Sequence, residues 1–330
     1  MGVMSVESSY PMGRSAPGPQ PARPLSPARA GASPGRLLLG AGLGHLFALS
    51  LTCAVFVRTY PGQWLDGLLL PRAERGGGYE QRTVLVGPAK TVLATFGRPT
   101  LLAALLGAVL LVGLLGRRLM AGVVGVGMVV CAVVVAGAMK SALPRADLRI
   151  ESSSLHNSFP SGHVAAATTL LLAFVLVLPG WARRWLALPG AAAVSVIAAA
   201  TMIAGWHRFS DALGGVLLGV ALFCLAAAAL AGRRGDDQRG GPRWRDEPDS
   251  TAGRRLVEGA VALVVLLWAL LVVMPGLAAS VQRGLLVAIV AATAVTMLLV
   301  GWVVFLARSA DFAVRSDSRL LGSPHATGRG

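Results

Sequence analysis

Apolar positions in this chain neither alternate nor form a stripe along one helical face. They fill uninterrupted runs of about twenty residues, separated by short polar segments. As a helix, such a run extends about 30 Å and covers the hydrocarbon core of a bilayer. Runs near 37–57, 99–116, 119–139, 163–178, 186–205, 211–231, 256–274 and 284–307 therefore predict eight spans. Arg117-Arg118 joins the second to the third as a tight hairpin. Trp181-Ala182-Arg183-Arg184-Trp185 joins the fourth to the fifth and sets aromatic and basic anchors together at an interface.

The segments around these runs complete the expected organisation. Residues 1–35, rich in Pro, Gly, Ser, Ala and Arg, read as a disordered cytoplasmic tail. The first apolar run begins only at Leu37, which argues against a cleaved signal peptide. Residues 58–98, with Gly76-Gly77-Gly78, read as a flexible external loop. In that loop Thr59, Gly62, Gln63 and Asp66 suit substrate contact and ordinary loop chemistry equally. A polar cytoplasmic linker at 232–255 separates a six-span core, 36–231, from a two-span C-terminal hairpin, 256–307, and 308–330 reads as a second disordered tail. No ionisable residue lies between Glu258 and Arg283 or between Arg283 and Arg308, so the hairpin is assigned no chemistry. The expected fold is all-α: a polytopic membrane bundle of a six-helix core plus a two-helix hairpin.

Composition agrees with a membrane chain and adds an orientation. Of 330 residues, 55% are hydrophobic and 14% charged, unlike a soluble globular domain. The net charge of +15 is almost wholly arginine, since Lys90 and Lys140 are the only lysines. These arginines lie mostly in short loops between apolar runs, where they report topology rather than nucleic-acid binding. More of them fall on the side that holds both termini, which places the termini in the cytoplasm; the expected location is the plasma membrane. Cys53, Cys131 and Cys224 sit inside apolar runs without ligand spacing and read as packing residues.

The candidate chemistry is confined to three polar islands, each at the edge of an apolar run. The central one is Asn157-Ser158-Phe159-Pro160-Ser161-Gly162-His163. Pro160 suits the first turn of a helix and Ser161 suits its cap. Gly162 permits close approach to the backbone, and the first free N–H groups of the helix favour an anion. His163 stands where it can give that anion a proton. Upstream, Lys140 ends an apolar run and is followed by Ser141-Ala142-Leu143-Pro144-Arg145; downstream lies Trp206-His207-Arg208-Phe209-Ser210-Asp211.

Together the three islands resemble the signature of the type 2 phosphatidic acid phosphatase superfamily over roughly residues 137 to 215. That pattern is a Lys and an Arg-Pro, then Pro-Ser-Gly-His, then Ser-Arg followed by a His with an Asp four residues on. The chemistry that fits is phosphoryl transfer to an enzyme nucleophile and then to water, as the resemblance also implies. His207 is the candidate nucleophile, forming a phosphohistidine. Asp211, four residues on, shares a helical face with it and fixes its tautomer. His163 protonates the leaving alkoxide. Lys140, Arg145 and the N–H groups around Ser161 and Gly162 stabilise the phosphoryl oxygens. No metal or other cofactor is expected. The expected partners are a lipid phosphate and the bilayer, with the site on the extracytoplasmic side.

The pattern departs from the signature in two places. Four residues rather than six separate Lys140 from Arg145, and Ala146 follows the Arg while Pro144 precedes it. Where Ser-Arg would stand are Ala200 and Thr201, so one phosphate-binding guanidinium is missing; Arg208 or Arg149 are the candidate replacements. Bland roles exist for single residues: Lys140 and Arg145 as membrane-edge anchors, His207 and Asp211 as an interfacial pair, His45 as a packed or pore-facing residue. Two other functions compete with lipid phosphate hydrolysis. One is a catalytically degenerate relative that binds or moves lipids; the other is vanadate-dependent haloperoxidase chemistry, which many spans disfavour.

Overall fold

Each of the seven apolar runs within the described residues is helical. The computed structural model describes residues 34–69, 83–150, 156–237 and 283–309. Outside them lie nearly all of both tails, Gly76-Gly77-Gly78, residues 238–255, the expected first span of the hairpin at 256–274, and His325. The described elements are α1 (Pro34–Arg58), α2 (Tyr60–Leu69), α3 (Val86–Phe96), α4 (Pro99–Leu115), α5 (Leu119–Ala142), α6 (Gly162–Val177), α7 (Gly180–Ile203), α8 (Phe209–Asp237) and α9 (Arg283–Leu306), closed by a 3-10 turn at Ala307–Ser309. No strand occurs among the described residues.

Helices α1, α5, α7, α9 and the 209–231 part of α8 are long and apolar enough to cross a membrane. α3 and α4 together make a sixth candidate span, bent by 55°. The bend follows from Pro99: it opens α4 at its first turn and leaves Arg98 extended, at φ −66° and ψ 124°. The protein is thus an all-α, multi-pass membrane bundle.

α6 differs from the spans around it. At 16 residues it extends about 24 Å, short of the hydrocarbon core. It is enclosed by α4, α5, α7 and α8, and 13 of its residues are buried, which explains why it is apolar on every face. α8 lies against α6 through small residues. A methyl on Gly214 would run into the Phe159 ring, and one on Gly215 would lie 2.8 Å from the Ser161 carbonyl. Phe159 is fully buried in this seam.

One feature departs from the expected layout. Residues 58–98 are not simply a loop, because α2 and α3 form within them. α2 was hidden because its polarity is reversed: Gln63 and Asp66 are buried, while Tyr60, Trp64, Leu65 and Leu68 are exposed. Such a helix suits a membrane interface, with its apolar side outward. α9 packs against α7 and α8 within the same compact unit, Ser33–Gly330.

The two ends of the bundle have different chemistry. At one end Arg118 and Arg183 gather carbonyls: Nη1 of Arg118 and Nε of Arg183 donate to Leu178 O at 2.7 and 2.9 Å, and Nη1 of Arg183 donates to Ala307 O at 3.3 Å. Arg183 is therefore turned inward, while Trp181 and Trp185 are exposed. At the other end lie α2, the end of α5, and the starts of α6, α8 and α9. All three polar islands are there.

Candidate active site

α7 ends in a turn that presents His207. Gly205, at φ 69°, adopts the left-handed conformation that closes many helices. The Thr201 carbonyl then accepts from the N–H groups of Trp206 and His207, at 2.9 and 3.2 Å. Arg208 caps α8: its carbonyl accepts from Ala212 N, and its own N–H donates to Asp211 Oδ2 at 2.9 Å. The carboxylate three residues into the helix thus reaches back to the cap.

The same Oδ2 collects two further groups. Nδ1 of His207 faces it at 3.4 Å, and Ser158 Oγ donates to it at 2.6 Å. The Asp211 carbonyl accepts from Ser161 N at 2.8 Å. Asp211, fully buried, therefore fastens the second island to the third through both side chain and backbone. With Nδ1 turned to Asp211, Nε2 of His207 is the nitrogen available for attack.

The second island is set by its own polar residues. Asn157 donates to Leu143 O at 2.7 Å and accepts from Phe159 N at 3.0 Å, tying the island to the end of α5. Ser161 caps α6, accepting from Val164 N, as its residue type suggests. Pro160 stands before this cap rather than in the first turn, because α6 begins at Gly162. His163, in that first turn, lies between aromatic rings: Phe96 at 6.5 Å and Trp206 at 5.8 Å between centroids.

Lys140 reaches the same place from α5. A methyl on Gly162 would meet its Nζ at 3.8 Å, and its charge acts on both His163 and Asp211. Arg145 is buried at this end, on a segment clamped by Gln63, whose Nε2 donates to Val57 O and Ala146 O, both at 2.9 Å. Arg208 is also buried, whereas Arg149 is exposed in a turn. Ala200 and Thr201 are buried beneath His207 and bring no cation. The structure thus gathers Lys140, Ser161, Gly162, His163, His207 and Asp211, with Arg145 and Arg208 buried at the same end.

Asp66, for which the sequence left substrate contact and ordinary loop chemistry equally open, lies beside the site. It is fully buried and accepts from Ser210 N at 3.1 Å and from the Ser210 hydroxyl. It caps the first turn of α8 from outside, beside the Arg208 charge. Burial raises its carboxyl, the charge of Asp211 adds to this, and Ser210 and Arg208 oppose it, leaving a value of about 7. The available signal was a lone carboxylate within Trp64-Leu65-Asp66-Gly67-Leu68. Ser158 was missed as a partner of Asp211, because the island reveals its polarity but not its direction.

Comparison with known proteins locates the resemblance. Residues 138–234 match the family model of the PAP2 superfamily. No curated protein matches the chain. A similar solved structure is that of the first transmembrane PAP2 type phosphatidylglycerolphosphate phosphatase from Bacillus subtilis, at 15% identity and a TM-score of 0.44, over 62% of this chain and 99% of that one.

Proposed function

We propose that this chain, whose residues 138–234 match the family model of the PAP2 superfamily and which forms a multi-pass membrane bundle, is a membrane lipid phosphatase. The observation that carries the reading is the convergence of the three islands. Ser158 and Ser161 are bound to Asp211, Asp211 faces His207, and Lys140 stands beside Gly162. The substrate is phosphatidic acid, a related phospholipid, or a polyprenyl phosphate or diphosphate, whose tail stays in lipid while its phosphate enters the polar end.

Nε2 of His207 attacks phosphorus and forms the P–N bond. The bond from phosphorus to the leaving oxygen breaks, its electron pair going to oxygen, which takes a proton from His163. Water then attacks the phosphohistidine and gives a proton to His163; phosphate departs and both imidazoles are restored. Lys140, Arg145, Arg208 and the N–H groups at Ser161 and Gly162 stabilise charge on the phosphoryl oxygens. The site faces the extracytoplasmic side, with both termini cytoplasmic.

Ala200-Thr201 favours one alternative, a relative that binds lipid phosphates without hydrolysing them. Phosphate release by the purified protein in detergent separates the two. The panel is phosphatidic acid, phosphatidylglycerol phosphate and polyprenyl diphosphate, each with wild type and His207→Ala. Release that His207→Ala abolishes supports the phosphatase. Lipid binding without release by wild type supports the alternative.

A further inference from the structure

The family match begins at residue 138, yet the bend between α3 and α4 reaches the candidate acid. A methyl on Gly97 would lie 3.6 Å from Nε2 of His163, so this nitrogen points at the bend. Gly97 sits at φ −75° and ψ −3°, a conformation open to any residue. Its backbone therefore does not require glycine; a methyl there would occupy the space in front of Nε2 at contact distance. A donor on Nε2 holds an oxygen at about 2.7–3.2 Å, and a methyl at Gly97 intrudes on that shell.

The walls beside that space are aromatic. Phe96, half-buried, and Trp206, 46% exposed, flank His163, each tilted by 47° to its ring. Such walls suit the carbon atoms next to a leaving oxygen better than a second phosphate. We propose that Phe96, Gly97 and Trp206 form the subsite that receives the leaving alcohol of the substrate at Nε2 of His163. This rests on the phosphatase reading. The step it serves is cleavage of the P–O bond: the electron pair passes to the alkoxide oxygen, the proton on Nε2 follows it, and the alcohol leaves past Gly97 between the two rings.

A pair of esters with unlike leaving groups tests this. Phosphatidic acid loses a strongly basic alkoxide that needs the proton, whereas p-nitrophenyl phosphate loses a weakly basic phenolate that does not. Gly97→Ala, compared with wild type and His163→Gln in detergent, should lower kcat/KM about tenfold more for phosphatidic acid than for the aryl ester, a fraction of the full contribution of a general acid. His163→Gln should show the same selectivity, more strongly. Equal losses on the two esters, or no loss on either, would overturn the subsite while leaving the phosphatase intact. A wild type active on polyprenyl diphosphate alone would also overturn the subsite, and one inert on these esters and on the whole lipid panel would remove the phosphatase reading, and the subsite with it. The new methyl also comes within 3.1 Å of Leu93 O, so thermal unfolding is measured alongside. Should Gly97→Ala fail to fold, Trp206→Leu enters the same comparison with the same opposed outcomes.

Discussion

Asp211 concentrates several tasks in one side chain. It faces His207, closes the cap of α8 and holds Ser158, so an amide in its place disturbs orientation and local structure together. Asp66 is the neighbouring carboxylate with the opposite disposition. Its carboxyl titrates near 7, against an ordinary value of 3.8, so the folded protein binds that proton more tightly than the unfolded chain. Its contribution to stability is then greatest below the ordinary carboxylate range and is lost as pH rises through about 7. Thermal unfolding in detergent should show wild type losing stability relative to Asp66→Asn between pH 4 and pH 7. Parallel profiles would show that Asp66 titrates as an exposed acid does. The missing arginine is also a matter of residue scale. Arg208→Ala should lower kcat/KM by roughly two orders of magnitude with folding intact, the scale of removing one transition-state donor. A silent Arg208→Ala, together with a faster Thr201→Arg, would show the guanidinium lost rather than replaced.

At the scale of elements, the site is a junction of helix ends. α6 and α8 begin beside each other, with Phe159 buried against Gly214 and Gly215 against the Ser161 carbonyl. Gly214→Leu should destabilise the protein by about 1–3 kcal/mol or more through overpacking and should lower activity with stability. Unfolding in detergent checks this; an unchanged midpoint would mean that the seam is looser than its geometry. Much of this junction was legible in the sequence, because uninterrupted apolar runs announce spans and polar islands at their edges announce their ends. The joint placement of Lys140, Ser161, His163, His207 and Asp211 followed from those islands. α2 was not legible, since its inward face is polar and its outward face apolar. α3 was not legible either, because Pro88 and Lys90 interrupt its apolar residues and Pro99 breaks it from α4. Gly214 and Gly215 read as ordinary residues of an apolar run until Phe159 lies on the first and the Ser161 carbonyl on the second. Asp66 reaches Ser210 across 144 positions of sequence, a separation that no local pattern encodes.

Across the whole molecule, the two ends divide the chemistry. Arg117, Arg118, Arg183 and Arg308 lie toward the end where α4 meets α5 and α6 meets α7, and the candidate site lies at the other. Under the proposed orientation, with both termini cytoplasmic, a single cysteine placed at Arg117 in a variant lacking Cys53, Cys131 and Cys224 should react with an impermeant thiol reagent only in inverted vesicles. Labelling of intact cells would reverse the orientation and put the site in the cytoplasm. The central proposal is that His207 carries the phosphoryl group between substrate and water. Acid-free quenching of the protein during turnover of phosphatidic acid, followed by mass spectrometry, tests it most directly. A phosphoryl group on His207, labile to acid and absent from His207→Ala, is the expected result. Sustained phosphate release by His207→Ala, or a phosphoryl group captured on another residue, would contradict it.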